Sequence, residues 1–247
     1  MSSSRPTSIR TRSDSLHWTL AAIFAACIAL CEGCTPAPGS AFSMEPAPLP
    51  TDPLLASAIA GRGDTYEEQQ TIAELSKKQD WSAMVQFAEA QQKGDPEGSD
   101  WGVLAGYGWL RRGEYPKAAA AFARVVQRNP EDIGAWNLLG EAQRRSGQPG
   151  QAIRTLERAS AVGRTSFATY FFLGEAYRDT RQLDRAIPAY REAARLEPGF
   201  AQAWFELGSA YARIGQREEV GIVMERLEKL DPALNKELKK QLEARGK

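Results

Sequence analysis

The sequence predicts an all-α chain, a solenoid of stacked helix–turn–helix units, on three observations. Gly106, Gly140, Gly174 and Gly208 recur at intervals of 34 residues. Three of them share a local frame, Trp136–Gly140, Tyr170–Gly174 and Trp204–Gly208. Twelve residues after each glycine stands a small or slender residue, Ala118, Ala152, Ala186 and Val220. A fixed period of this length marks a repeat array rather than a single globular core.

Each unit reads as two helices. Four residues beyond the small position comes a large one, Phe122, Leu156, Tyr190 and Met224, followed by Val125, Ala159, Ala193 and Leu227. Pro130, Pro198 and Pro232 then close their units, with Arg164 in that place in the third. Apolar residues three and four apart line one face of each helix, and Gly113, Gly147 and Gly215 break the chain between helices. Glycine and alanine at the eighth and twentieth positions suit a close crossing of the two helices, which a larger side chain would force apart. A weaker unit comes first, in Ala83, Phe87, Ala90 and Pro96, with Asp80 as a helix N-cap. Its first helix, around Tyr66 to Lys77, lacks the glycine and the aromatic, as expected of a terminal repeat with a wetted outer face. Five units are expected over 64–234, and Leu234, Leu238 and Leu242 then predict an amphipathic helix over 235–247 that caps the last apolar face.

The order of these residues resembles the tetratricopeptide repeat family, whose pattern runs Trp, Leu, Gly, Tyr, Ala, Phe, Ala, Pro through its unit. The best match is Tyr170, Leu173, Gly174, Tyr177, Ala186, Tyr190, Ala193 and Pro198; the third unit departs at Gln143 and Arg164, the fifth at Val220 with Gly221 following. The resemblance implies a right-handed superhelix whose first helices line a concave binding surface. Its groove positions fall on Asp100, Val103, Tyr107, Leu110 and Arg111 in the second unit and on Asn137, Glu141, Arg144 and Arg145 in the third. They fall on Phe171, Glu175 and Arg178 in the fourth, and on Gln202, Phe205, Ser209 and Arg213 in the fifth. The expectation is an apolar groove with charged flanks, in which Phe171 and Phe205 stand open as anchors for a peptide or helix; the alternative is that both pack between adjacent first helices. Family members that bind chaperones clamp a C-terminal carboxylate with lysine and asparagine. Here Val103 and Phe171 replace the lysine and Leu138 the asparagine, so that ligand class is not expected.

Ahead of the repeats the composition changes. Residues 1–17 hold Arg5, Arg10 and Arg12 among serines and threonines, and 18–31 form an apolar run. That order predicts a secretory signal over 1–34, its run shorter than the roughly 20 residues a membrane-spanning helix needs. All three cysteines, Cys27, Cys31 and Cys34, lie in or just after it. The cluster resembles the end of a bacterial lipoprotein signal, with Cys34 as the lipidated residue and Cys31 or Cys27 as alternatives. Cys31 and Cys34 have metal-site spacing but no further ligands nearby. A Pro-rich stretch opens the linker expected over 35–63, reading as a semi-rigid spacer. The expected location is a periplasm-facing membrane, the outer one favoured, with a soluble secreted form as the alternative.

Lys plus Arg and Asp plus Glu both total 31, a formal net charge of zero, which argues against a nucleic-acid partner. Arg111–Arg112 and Arg144–Arg145 are read as cations at helix C-termini. The one histidine, His17, lies in the expected leader, so the common nucleophile–base pairs and most zinc sites cannot be assembled beyond it. Glu67–Glu68 and Glu218–Glu219 are neighbours on a helix, which do not face each other, and read as solvated. No enzymatic activity, cofactor or metal is expected. The expected function is a protein–protein adaptor that takes a peptide or subunit in its groove, in pilus or secretion-channel assembly. The alternative is an exported accessory subunit of a polysaccharide or peptidoglycan enzyme complex.

Overall fold

A computed structural model describes residue 63 and residues 65–95, 99–162 and 166–245. All of these belong to the compact unit Pro46–Lys247. The leader, the three cysteines, nearly all of the linker, Pro96 and Arg164 lie outside the described residues. Among the described residues there are eleven helices and no strand. They are α1 Tyr66–Lys78, α2 Trp81–Gly94, α3 Ser99–Arg111, α4 Tyr115–Arg128, α5 Ile133–Arg145 and α6 Pro149–Ala161. Then follow α7 Phe167–Asp179, α8 Leu183–Leu196, α9 Ala201–Ile214, α10 Arg217–Leu230 and α11 Pro232–Arg245.

Helices start where side chains can satisfy the free N–H groups of a first turn. Asp80 accepts from the Ala83 N–H at 2.9 Å, and Asp132 does the same for Ala135. Thr65 and Glu68 close a capping box on α1, so Glu68 has a local task beyond solvation. The turn inside each repeat carries one residue of positive φ, at Gln79, Gly113, Gly147, Arg181 and Gly215, again 34 residues apart. Glycine takes this conformation freely, whereas a Cβ costs about 1 kcal/mol or more there. Arg181→Gly should therefore raise stability by about 1 kcal/mol, read as a higher midpoint in urea, because Arg181 is exposed.

Each helix packs on its neighbours in the chain, α3 and α5 also contact the first helix of the next repeat, and α7 reaches α9 through the Arg178–Glu206 ion pair. α11 lies against both α9 and α10, as a further first helix would. The glycine of each repeat sits at the helix crossing. A Cβ built on Gly106, Gly140 or Gly174 would come within 2.7, 2.5 and 2.5 Å of Phe122, Leu156 and Tyr190. In the last repeat the sequence points to Met224 as the facing residue, but Gly208 instead meets Val223 and Leu238, while Met224 lines a hollow beside α11. The capping helix supplies the missing bulk with Leu238, which is fully buried.

Gly174→Leu should cost about 3 kcal/mol through overpacking, since the Tyr190 ring leaves no room for the new side chain. The buried core divides into an N-terminal cluster from Ile72 to Ala159 and a C-terminal one from Ala152 to Leu238. Hydrogen-exchange protection should consequently fall in α7 to α10 and persist in α3 to α5; uniform loss would contradict repeat-by-repeat packing.

Candidate functional site

The inner side of the stack is built by α3, α5, α7 and α9, and it is not the open apolar groove expected. Val103 and Tyr107 are buried, as is Leu110. Phe171 and Phe205 are each 8 % exposed and belong to the core. The Phe171 ring meets Phe200 edge-on at 5.0 Å and lies 6.1 Å from Tyr190. Phe200, at the head of α9, closes the space that position in the repeat would leave open, so Phe171 holds consecutive repeats together. Asn137 is also spoken for: its Oδ1 accepts from Thr169 Oγ1 at 2.7 Å across α5 and α7. Ser209 donates to Gln241 of α11, and Arg213 is exposed.

What the inner face does present is a ladder of ion pairs running across three repeats. Glu141 is 3 % exposed and accepts from Arg144 Nε at 2.8 Å and from Arg145 Nε. Arg144 reaches the next repeat, donating to Asp179 Oδ2 at 2.7 Å and lying 3.7 Å from Glu175. Arg178 binds Glu175 through both terminal nitrogens, at 2.7 and 2.8 Å, and extends to Glu206 of α9 at 2.8 Å. Gln202 donates to the other oxygen of Glu206, and Tyr190 donates to Glu175 at 2.7 Å. Arg144 is therefore a cross-linking cation, and Arg145 a partner of Glu141 on its own helix, rather than only partners of a helix C-terminus.

Burial sets the titration of this network. It pushes the Glu175 carboxyl above the usual range, against the nearby Arg178 guanidinium. Burial also raises the Tyr190 phenol, with the charge of Glu175 adding to the effect. Burial opposes the charge of Arg144, but Glu141, Asp179 and Glu175 outweigh it and hold the guanidinium more firmly protonated.

The sequence reading misses Asp179, Glu206 and Tyr190 as members of the ladder. One signal was present: an acid and an arginine three apart, Glu141 with Arg144 and Glu175 with Arg178, at the same place in consecutive units.

An inner cleft between α3 and α5 is open, with a volume of about 510 Å³. Of the expected residues it brings together Tyr107, Leu110, Arg111, Glu141 and Arg145, and it adds Arg112, Tyr115 and Leu138. Arg111 lies over the Trp81 ring at 4.7 Å and donates to the Tyr107 hydroxyl, while Arg145 lies 5.9 Å from the Tyr115 ring. Both guanidinium groups line the cleft, where contact with aromatic rings restricts their motion. Their chemistry suits backbone carbonyls and carboxylates. Among the described residues no group of His, Cys, Asp and Glu side chains has the arrangement of a metal site. No described helix is long and apolar enough to cross a membrane.

Comparison with known proteins agrees with this fold. No curated protein matches the chain. Among solved structures, MamA from Desulfovibrio magneticus RS-1 is 21 % identical, with a TM-score of 0.57 over 68 % of this chain and 98 % of that one. TTC0263 from Thermus thermophilus is 19 % identical, with a TM-score of 0.58 over 71 % and 95 %. YrrB, described as a protein with an unusual peptide-binding site, is 21 % identical, with a TM-score of 0.53 over 68 % and 88 %. At these identities the likeness is one of fold. Two family models, each described as tetratricopeptide repeat, match residues 110–170 and 171–233 without a gap between them. With the 34-residue period, the glycine crossings and the positive-φ turns all in phase, the chain belongs to the tetratricopeptide repeat family, whose members serve as scaffolds that bind proteins or peptides.

Proposed function

We propose that this protein is a non-catalytic adaptor that seats a segment of a partner protein in the inner cleft between α3 and α5. The observation that carries this reading is the cleft itself, a recess walled by Arg111, Arg112, Arg145 and Tyr115 beside the ladder of ion pairs. The peptide-binding site attributed to YrrB supports a polypeptide as the ligand class. The adaptor is exported and held at a periplasm-facing membrane, the outer membrane favoured, by lipid on Cys34, with the Pro-rich spacer setting the repeats off the surface. The apolar run, the clustered cysteines and the spacer support this part. Its work there is the assembly of an envelope structure such as a pilus or a secretion channel.

Affinity capture of the full chain, followed by mass spectrometry, tests the cleft. Arg111→Ala with Arg145→Ala should weaken partner recovery by about tenfold, the effect expected of interface anchors, while helicity stays unchanged. Undiminished capture by the folded variant would remove the cleft from consideration. Metabolic labelling with a fatty acid tests the anchor. Label should be present in the wild type and lost in Cys34→Ala. Label that persists in Cys34→Ala and disappears in Cys31→Ala or Cys27→Ala would move the site, and an unlabelled wild type would dismiss lipidation.

A further inference from the structure

On the outer side of the stack the second helices of neighbouring repeats are spaced apart, and between the last two repeats the gap is open. A groove of about 770 Å³ lies between α8 and α10. The equivalent gap between α2 and α4 measures about 40 Å³. The apolar part of the larger groove's lining is Pro188, Ala194, Pro198, Trp204 and Ile222. Ile222 is 62 % exposed, a large apolar side chain on a helix face turned to water.

Two residues inside the flanking helices lower intrinsic helix stability. Pro188 sits inside α8, where it removes a backbone donor. Gly221 sits inside α10, and nothing lies within 4 Å of where its Cβ would stand, so neither a close crossing nor a turn requires glycine there. Gly221 lines a hollow of about 500 Å³ beside α11, and Glu225 and Lys229 line both that hollow and the groove.

The rim of the groove is basic. Arg191, Arg195, Arg226 and Lys229 face only Glu192 and Glu225, a surplus of two positive charges among the residues that line it. Arg195 is taken by Glu192 in a paired contact at 2.7 and 2.8 Å. Arg191 instead donates to the Tyr211 hydroxyl, and Arg226 lies 5.8 Å from the centre of the Trp204 ring. Both guanidinium groups are thus positioned by neutral partners, with no carboxylate bound to them among the described residues.

We propose that this outer groove is a second docking surface, taking a polypeptide segment that carries apolar anchors flanked by a surplus of carboxylates. The recess takes the anchors beside Trp204 and Ile222, and Arg191, Arg226 and Lys229 take the carboxylates. An apolar lining between α8 and α10 fits the side chains of an extended or helical segment, and the surplus of two positive charges selects acidic flanks.

Fluorescence anisotropy of the full chain with two short synthetic peptides tests this. Both carry the same leucine and proline anchors, one with flanking glutamates and the other with flanking lysines. The acidic peptide should bind at least about tenfold tighter than the basic one, with an affinity that falls as salt rises. Ile222→Asp and Lys229→Glu should each weaken it by about tenfold, while Arg154→Ala, on the outer face of another repeat, should leave it unchanged. Melting temperatures separate docking from folding: Ile222 and Lys229 are both exposed, so the two variants should melt as wild type while losing the peptide. Equal binding of the two peptides, no binding of the acidic one, or acidic binding that survives Ile222→Asp would overturn the proposal. So would binding to phosphatidylglycerol vesicles that is lost in Ile222→Asp while the acidic peptide fails to bind, which would assign the patch to a membrane surface.

Discussion

Phe171→Ala should destabilise the C-terminal repeats by about 4 kcal/mol, within the range for removing a buried phenylalanine from a core. The ring touches three parts of the structure at once: Phe172 on its own helix, Tyr190 on α8 and Phe200 at the head of α9. Phe200 in turn contacts Phe167 edge-on at 5.2 Å, so the alanine variant opens a cavity within an aromatic cluster that links two repeats. Phe205→Ala removes a second buried ring from the same core cluster. The double variant should lose cooperative melting and hydrogen-exchange protection from α7 to α10, with α3 to α5 retaining both, because their cluster is separate. A double variant that keeps a wild-type melting curve would show that the two rings are surface groups after all.

The same residues show what could be read from the chain and what could not. The period, the helix pairs and the crossings follow from local spacing, because Gly106, Gly140 and Gly174 each face a large residue sixteen positions later in the same unit. Two of the positive-φ turns were hidden, because Gln79 and Arg181 hold the backbone conformation without the glycine that would announce it. The accessibility of the inner face was not legible at all. Position within a repeat says which way Phe171 points from its own helix, but not that Phe200 of the following repeat fills the space it points into. Exposure there depends on the distance between repeats, which no single-unit pattern contains.

Charge shows the same limit. Glu141 with Arg144 and Glu175 with Arg178 are visible at helical spacing and would be worth only a few tenths of a kcal/mol each on an exposed helix. Their links to Asp179 and Glu206 cross from one repeat to the next, at separations of 35 and 28 residues, and it is these that turn local pairs into a ladder. The ladder also explains why Glu141, Glu175 and Glu206, although charged, are committed to partners within the stack.

Arg178→Ala should be the most damaging change to that ladder, at about 3 kcal/mol, because removing one member of a buried pair leaves charge uncompensated. Glu175, Glu206 and Asp179 all lose a partner, and the first two have side chains only 10 % and 12 % exposed. Arg144, 3.7 Å from Glu175, remains and moderates the loss. The cost should depend on pH, and its sign follows from Glu175, whose pKa burial raises even with Arg178 in place. A carboxyl whose folded pKa lies above its unfolded one binds more protons when folded, so it adds stability as pH falls through the folded value and removes it as pH rises. Without Arg178 the folded pKa climbs further, because the opposing charge is gone. The gap in unfolding free energy between Arg178→Ala and wild type should therefore be wider at about pH 8 than at about pH 5, where Glu175 takes up its proton in the variant. Urea unfolding at the two pH values measures this directly. A gap that is equal at both, or wider in acid, would mean that Glu175 does not depend on Arg178 for its charge and that the ladder is held by Arg144 alone.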